Sequence, residues 1–193
     1  MSRERRQAVV VAGHTGDVDV VRSGLDDPEA GVREAALGAL RRLGLLDADS
    51  LRSFAHDPEP GVRRRVAELA AGVPDFDLGS LLTDPDPRVV ETAAWACGEH
   101  EAVSDEVMRM LIGIATEHDD ALAREAAVAA LGAIGDERGL PAILHGCRDK
   151  PAIRRRAVLA LAPFDGPEVD AALATAREDR DWQVRQSAED VSG

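Results

Sequence analysis

The sequence predicts an all-α fold, an α-solenoid of about six stacked two-helix repeats. Three observations lead there. First, 45% of the 193 residues are apolar but only 3% are aromatic, and there is no Tyr. Such a composition favours closely packed helices over an aromatic-rich sheet. Second, one short pattern recurs about every 30 residues along the chain. Third, apolar residues within each unit follow the period of a helix.

The recurring pattern is a Val-Arg pair, or its equivalent, a few residues after an acidic turn such as "DDPEAG" or "HDPEPG". Asp-Pro favours a turn, and proline is tolerated in the first turn of a helix. Each unit is therefore predicted to be a helix, a short turn and a second helix. The pairs are Val32-Arg33, Val62-Arg63, Val89-Val90, Ala123-Arg124, Ile153-Arg154 and Val184-Arg185. The chain is predicted to be one domain over 1–193, with a half-unit helix at 3–13 and repeats at 17–44, 47–73, 75–100, 104–135, 136–164 and 166–191.

The second helix of each repeat carries the strongest periodicity. With the first residue of the pair as position zero, apolar residues recur at positions zero, four, eight and eleven: in the first repeat these are Val32, Ala36, Leu40 and Leu43. Position five is apolar in the first five repeats, so the apolar arc is wide enough to contact both a partner helix and the next repeat. In the last repeat this position is Glu189, which fits a solvent-facing end.

These motifs resemble HEAT repeats, of the short kind also found in relatives of phycobilisome lyases. The resemblance covers roughly 17–191 and is strongest in "AREAAVAALGAIGDERGLPAIL" at 123–144. It implies a right-handed α–α superhelix in which the arginine at position one reaches the acidic turn of an adjacent repeat. That ladder would comprise Arg33, Arg63, Arg124, Arg154 and Arg185, facing Asp27, Asp57, Asp84, Asp119, Asp149 and Asp179. Repeat three departs from the pattern because it has Val90 in place of the arginine, and repeat four lacks the proline.

Bulk properties narrow the function. The formal net charge of −13 and the pI near 4.8 argue against general affinity for nucleic acid or anionic membranes. The apolar run near the start is too short for a signal-peptide core, and no stretch approaches the length of a membrane span, so a cytoplasmic protein is expected. Cys97 and Cys147 are predicted to be buried free thiols. The five histidines are scattered, and neither a metal site nor a cofactor is predicted.

Partner-binding residues are expected on the second helices, which the resemblance places on the concave surface. At positions two, three and six these helices carry four arginines and five acids, so the surface is mixed in charge. Trp95 lies at position six, where it could either face the groove or turn into the core. The leading hypothesis is a scaffold or adaptor that binds a protein or peptide on its concave face. The predicted partner-binding residues are Trp95, Arg64, Arg65, Arg155 and Arg156.

Two other functions were weighed. Some bacterial HEAT-like proteins are alkylpurine DNA glycosylases, so a related nucleic-acid-binding protein is the alternative. Such a protein would need a continuous basic groove that holds several aromatic residues. In this sequence only Trp95 is a candidate aromatic residue of the groove. An enzyme is not predicted, since no Ser/His/Asp set, Gly-rich phosphate loop or metal-spaced cluster is present. Lyase activity on bilins would be implied by the resemblance alone, and the chain has no pattern of its own that supports it. Trp182 is expected to pack over the end of the stack.

Overall fold

The computed structural model describes residues 2–192, and these residues form α-helices and short turns without any strand. The all-α prediction is therefore confirmed. Two 3₁₀ turns, Gly24–Asp26 and Glu137–Gly139, precede α3 and α10. The helices are α1 (Ser2–Thr15), α2 (Val18–Ser23), α3 (Ala30–Arg42), α4 (Ala48–Arg52), α5 (Pro60–Ala70), α6 (Gly79–Leu82), α7 (Pro87–Cys97), α8 (Asp105–Glu117), α9 (Ala121–Ile134), α10 (Leu140–Gly146), α11 (Pro151–Ala160), α12 (Pro167–Arg177) and α13 (Trp182–Ser192).

Backbone contacts divide the chain into two compact units, which we call unit 1 (residues 1–81) and unit 2 (residues 82–193). In unit 1, α1 packs on α3 and α3 on α5, while the short helices α2 and α4 lie against them. The core between α1, α2 and α3 is built from small and branched aliphatic side chains, as the composition predicts. Its members include Val9, Ala12, Val21, Val32 and Ala36.

In unit 2 the second helices of the repeats stack in chain order, α7 on α9, α9 on α11 and α11 on α13. The helices α8, α10 and α12 form a second layer against them. Leu111, Leu131, Ile143, Ile153 and Leu161 are fully buried in the core. Each second helix thus contacts its own partner and its stacked neighbours, which accounts for its wide apolar arc.

Small residues let the stacked helices approach closely. A Cβ atom added at Gly132 in α9 would lie 2.6 Å from the Cα of Ala160 in α11. A Cβ atom added at Gly98, just after α7, would lie 3.0 Å from the Cα of Ala130 in α9. Because neither backbone can move away without disturbing the core, these glycines are required by packing.

The second helices of the repeats begin as the Asp/Pro pattern of the preceding turns predicts. The helices α5, α7 and α11 begin at a proline. The side chain of Asp86 accepts a hydrogen bond from the backbone N–H of Arg88, and the side chain of Asp120 accepts from those of Leu122 and Ala123. These carboxylates satisfy amides that have no partner within the helix.

Candidate functional site

The arginines at position one join the turns of successive repeats. Arg154 in α11 donates from Nε and Nη2 to the two carboxylate oxygens of Asp179, each at 2.8 Å, and from Nη1 to the carbonyl of Asp149 at 2.9 Å. It therefore contacts the turn before its own helix and the turn of the next repeat. Only 9% of Arg154 is exposed. The planar guanidinium fork is what allows both sets of bonds to form at once.

The same geometry occurs at two more predicted positions. Arg33 pairs with Asp57, and Arg124 pairs with Asp149, each through two side-chain bonds of 2.7–3.1 Å. Sequence reasoning missed a further pair, Arg5 with Asp27, in which Arg5 comes from the half-unit helix α1. The sequence spacing could have indicated this pair, because in all four pairs the arginine precedes its aspartate by 22 to 25 residues. We call these four pairs the ladder.

Ladder contacts stabilise the charged forms of the carboxyl groups. The hydrogen bond from Arg124 lowers the pKa of Asp149, and the bond from Arg154 lowers the pKa of Asp179. At Asp57 burial acts to raise the pKa, but the bonds from Arg33 and from the backbone N–H of Glu59 outweigh it, and the pKa is lowered. The ladder carboxylates therefore stay ionised in the folded protein at neutral pH.

Two other arginines of the predicted set bond to a turn carbonyl. Arg63 donates to the carbonyl of Asp57 at 2.8 Å, and Arg185 donates to that of Asp179 at 2.7 Å. Within the described residues, the ladder has no rung between repeats three and four. Val90, which replaces the arginine, is buried, and His118 lies where the facing aspartate was expected, so Asp119 is not the ladder residue. The Nδ1 atom of His118 instead accepts a hydrogen bond from the backbone N–H of Asp120 at 3.0 Å.

One depression in unit 2 lies on the exposed side of α7, α9 and α11. It has a volume of about 610 Å³. Trp95 on α7 forms one wall, with 44% of its surface exposed, so it faces the groove and not the core. Arg156 on α11 forms the opposite wall. We call this depression the Trp95 groove. Its floor consists of the alanines at 126, 129, 130 and 133 of α9.

The groove exists because the alanines of α9 lie between two helices with large side chains. Thr92, Trp95 and Arg156 occupy positions three and six of their helices, where α9 has Ala126 and Ala129. At one end of the floor, Leu122 is 56% exposed and adds a second large apolar surface.

The polar rim of the Trp95 groove is mainly acidic. Glu91, Glu99 and Glu125 line it, with Arg156 as the single basic residue. The Nε atom of Arg156 lies 3.7 Å from Oε1 of Glu125, and this buried Nε makes no hydrogen bond within the described chain. Glu91 and Glu99 make no hydrogen bond or ion pair with any described residue.

The remaining predicted binding residues lie elsewhere. Arg64 and Arg65 are in unit 1, where they line a separate pocket of about 320 Å³ with Arg6 and Arg42. Arg65 pairs with Glu68 at 2.7 Å. Arg155 is on α11 but does not line the Trp95 groove. Position counting missed Arg6 because it lies in the half-unit helix, and Arg42 because it lies at position ten of its repeat, outside the counted positions two, three and six.

Several other features of the described residues bear on the sequence predictions. Trp182 is 64% exposed at the first residue of α13, so the expectation that it packs over the end of the stack was wrong. Neither Cys97 nor Cys147 is in a disulfide; Cys97 is buried as predicted, whereas Cys147 is only half-buried. Burial raises the pKa of the Cys147 thiol to about 11, which disfavours the reactive thiolate. Over residues 2–192, no group of three or more His, Cys, Asp or Glu side chains is placed to hold a metal ion. No described helix is both long and apolar enough to cross a membrane.

The stacked helix pairs, their Asp/Pro turns and the ladder define an α-solenoid repeat protein. The model of HEAT repeats matches residues 77–159 and 108–192, which together exceed half of the chain, and the protein belongs to this family. Recognition of the HEAT pattern in the sequence is confirmed. Folds of this class are typical of protein-binding scaffolds. No curated protein matched the chain significantly.

Solved structures show the same fold. The Escherichia coli protein YibA is 18% identical with a TM-score of 0.75, over 95% of this chain and 73% of that one. Human deoxyhypusine hydroxylase is 20% identical with a TM-score of 0.51, over 100% and 79% of the two chains. A designed armadillo repeat protein in complex with the peptide (KR)4 is 16% identical with a TM-score of 0.51, over 98% and 89%. At these identities the similarity extends to the fold alone.

Proposed function

We propose that this protein is an interaction scaffold that binds an extended segment of a partner protein in the Trp95 groove. The observation that carries the proposal is the half-exposed indole of Trp95 beside an alanine floor. A tryptophan at the edge of a depression is the residue type that most often dominates binding energy at protein interfaces. It costs little to order, because only two side-chain torsions are fixed.

The dimensions of the groove favour an extended chain as the ligand. Its volume of about 610 Å³ lies within the range of small-molecule and short-peptide sites, and it is open to solvent. The flat floor offers contact area but few hydrogen-bond partners, so polar contacts must come from the rim. The side chain of Arg156 is 42% exposed, and its guanidinium N–H groups can donate to a backbone carbonyl of the bound segment.

The charge of the rim argues against nucleic acid as the ligand. Three carboxylates line the groove against one guanidinium, and phosphates would be repelled at close range. The designed armadillo neighbour, which has a bound peptide, shows that a related fold can present a peptide site. Arg64, Arg65 and Arg155 stay predicted contacts, which would meet acidic residues of the partner outside the Trp95 groove.

A selection experiment with a matched control tests the proposal. A phage-displayed library of random dodecapeptides is panned on the wild-type protein, and selected peptides are measured by fluorescence anisotropy against Trp95→Ala and Trp182→Ala. Both variants remove one exposed tryptophan, but only Trp95 lines the groove. We expect Trp95→Ala to weaken binding at least tenfold, since truncating an anchor residue costs about 2 kcal/mol. Trp182→Ala should change it less than twofold.

Two results would contradict the proposal. One is a set of selected peptides that bind Trp95→Ala as tightly as the wild type. That result would mean that the peptide-binding surface lies outside the groove. The other is failure to select any peptide in repeated pannings while a positive-control peptide-binding domain succeeds. Circular dichroism melts of both variants establish that the fold is retained.

A further inference from the structure

We infer that the side chain seated on Trp95 is the cation of an Arg or Lys residue, so the ligand is an extended basic segment of a partner protein. The inference rests on the proposed function and adds the chemistry of the ligand. It is carried by the juxtaposition of one half-exposed indole with three glutamates, two of which have no partner within the described chain.

The arrangement of the glutamates around the indole is set by the helical register. Glu91 precedes Trp95 by four residues and Glu99 follows it by four, so the three side chains lie on one face of the helix and its end. Glu125 occupies position two of α9, as Glu91 does in α7, so it lines the same groove from the next helix of the stack. A ligand that contacts the ring is therefore surrounded by carboxylates.

A cation is the ligand group that satisfies both features. The face of an indole attracts a guanidinium or ammonium group, and tryptophan is the strongest aromatic partner for it. Carboxylates that line a depression with apolar walls focus a negative potential on its interior, which attracts a cation from solution. An Arg side chain can stack on the ring and donate to a glutamate at the same time.

The ion pair already present leaves room for this ligand. Arg156 and Glu125 are 3.7 Å apart without a hydrogen bond, so the oxygens of Glu125 retain their capacity to accept. With Arg156 counted, the rim has a formal charge of −2. Unit 2 as a whole has 22 acidic and 12 basic side chains, so the surrounding field has the same sign. An acidic ligand would be repelled by this negative field, and Arg156 is the single basic residue of the rim that could offset the repulsion.

The apolar surface at Leu122 specifies the neighbour of the cation. Leu122 is more exposed than Trp95 and lies at the rim of the same groove. An aliphatic side chain close to the basic residue of the ligand would cover it. The expected ligand therefore combines Arg or Lys with a Leu-like residue in an extended segment.

The test uses a fluorescein-labelled octapeptide of alternating Arg and Leu, with a matched octapeptide in which citrulline replaces Arg. Citrulline keeps the shape of the side chain and removes its charge. Anisotropy titrations at 150 mM NaCl compare the wild type with two triple variants of equal net charge. The groove variant is Glu91→Gln/Glu99→Gln/Glu125→Gln. The control variant changes three exposed glutamates of unit 2 that do not line the groove, Glu137→Gln/Glu168→Gln/Glu178→Gln.

The expected result is that the groove variant and Trp95→Ala each weaken binding of the Arg peptide at least tenfold, while the control variant weakens it less than twofold. The citrulline peptide should bind the wild type at least tenfold more weakly than the Arg peptide. If the two triple variants lost the same affinity for the Arg peptide, net charge alone would explain the loss and the inference would be overturned. So would equal binding of the two peptides, or an Arg peptide that shows no binding.

The panning experiment separates this inference from the proposed function. If selected peptides depend on Trp95 but are acidic or neutral, the groove is a binding site and the basic ligand is wrong. If no selected peptide depends on Trp95, the proposed function fails as well. Thermal melts of the triple variants show whether a loss of binding reflects a loss of fold.

Discussion

Replacing Arg154 by alanine removes a complete rung of the ladder. The wild-type guanidinium makes three hydrogen bonds, two to Asp179 and one to the carbonyl of Asp149. The side chains of Arg154 and Asp179 are 10% and 15% exposed, so water replaces the lost partner only in part. Asp179 keeps its bond from the backbone N–H of Asp181, which limits the damage.

The magnitude follows from these contacts. A hydrogen bond to a charged group contributes about 1.5–3 kcal/mol, and loss of one partner from a well-buried ion pair costs about 3–5 kcal/mol. Because the pair is accessible at one edge, we expect the free energy of unfolding to fall by about 2–3 kcal/mol. In a chain of this length that corresponds to a decrease in Tm of about 5–10 °C.

The adjacent residue provides the control. Arg155→Ala removes the same charge from the same helix, but Arg155 makes no hydrogen bond or ion pair within the described chain. Its free energy of unfolding should change by less than about 0.5 kcal/mol. Urea titrations and thermal melts at pH 7, monitored by circular dichroism, measure the free energies of unfolding of the Arg154→Ala and Arg155→Ala variants. Equal shifts for Arg154→Ala and Arg155→Ala would refute the assignment of the rung.

Two further predictions test the ladder and the packing. The pKa of Asp179 is lowered by its bond from Arg154, so the unfolded chain binds more protons than the folded one in acid, and stability should fall as the pH drops below about 5. Urea midpoints measured between pH 7 and 3 should fall less steeply for Arg154→Ala than for the wild type; parallel curves would contradict this. Gly132→Ala should lower the free energy of unfolding by about 1–3 kcal/mol, because its Cβ would lie 2.6 Å from the Cα of Ala160. Gly113→Ala in α8, where the added Cβ meets no atom within 4 Å, should raise the free energy of unfolding by about 0.4–1 kcal/mol, and stabilisation of both variants to the same extent would show that helix propensity and not packing decides.

The fold could be predicted from the sequence because helical periodicity and turn chemistry agree in nearly every repeat. Wide apolar arcs at positions zero, four, five and eight require contacts on two sides, and a stack of helix pairs supplies them. The half-unit helix was predicted for the same reason. Its ladder residue Arg5 was not predicted, because Arg5 lacks both the acidic turn and the preceding apolar residue that mark the other positions.

The candidate site was only partly predictable. Position six identified Trp95, but whether its ring faces outward depends on the local rotation of α7 against α9, which the periodicity does not determine. The charge of the groove was missed for a different reason. Counting charges over all repeats averages Arg64 and Arg65 of unit 1 with Glu91 and Glu125 of unit 2, although only the latter two line the groove with Trp95.

The missing rung between repeats three and four has a consequence for the Trp95 groove, since α7 and α9 form its indole wall and its floor. Buried Val90 and the close approach of Gly98 to Ala130 hold these two helices together without an ion pair of the ladder type. Added salt screens the interactions between exposed charges, most strongly beyond a Debye length, but leaves apolar packing intact. High ionic strength should therefore release a basic ligand while the indole wall and the floor keep their shape, so that binding is reversible without any rearrangement of the receptor.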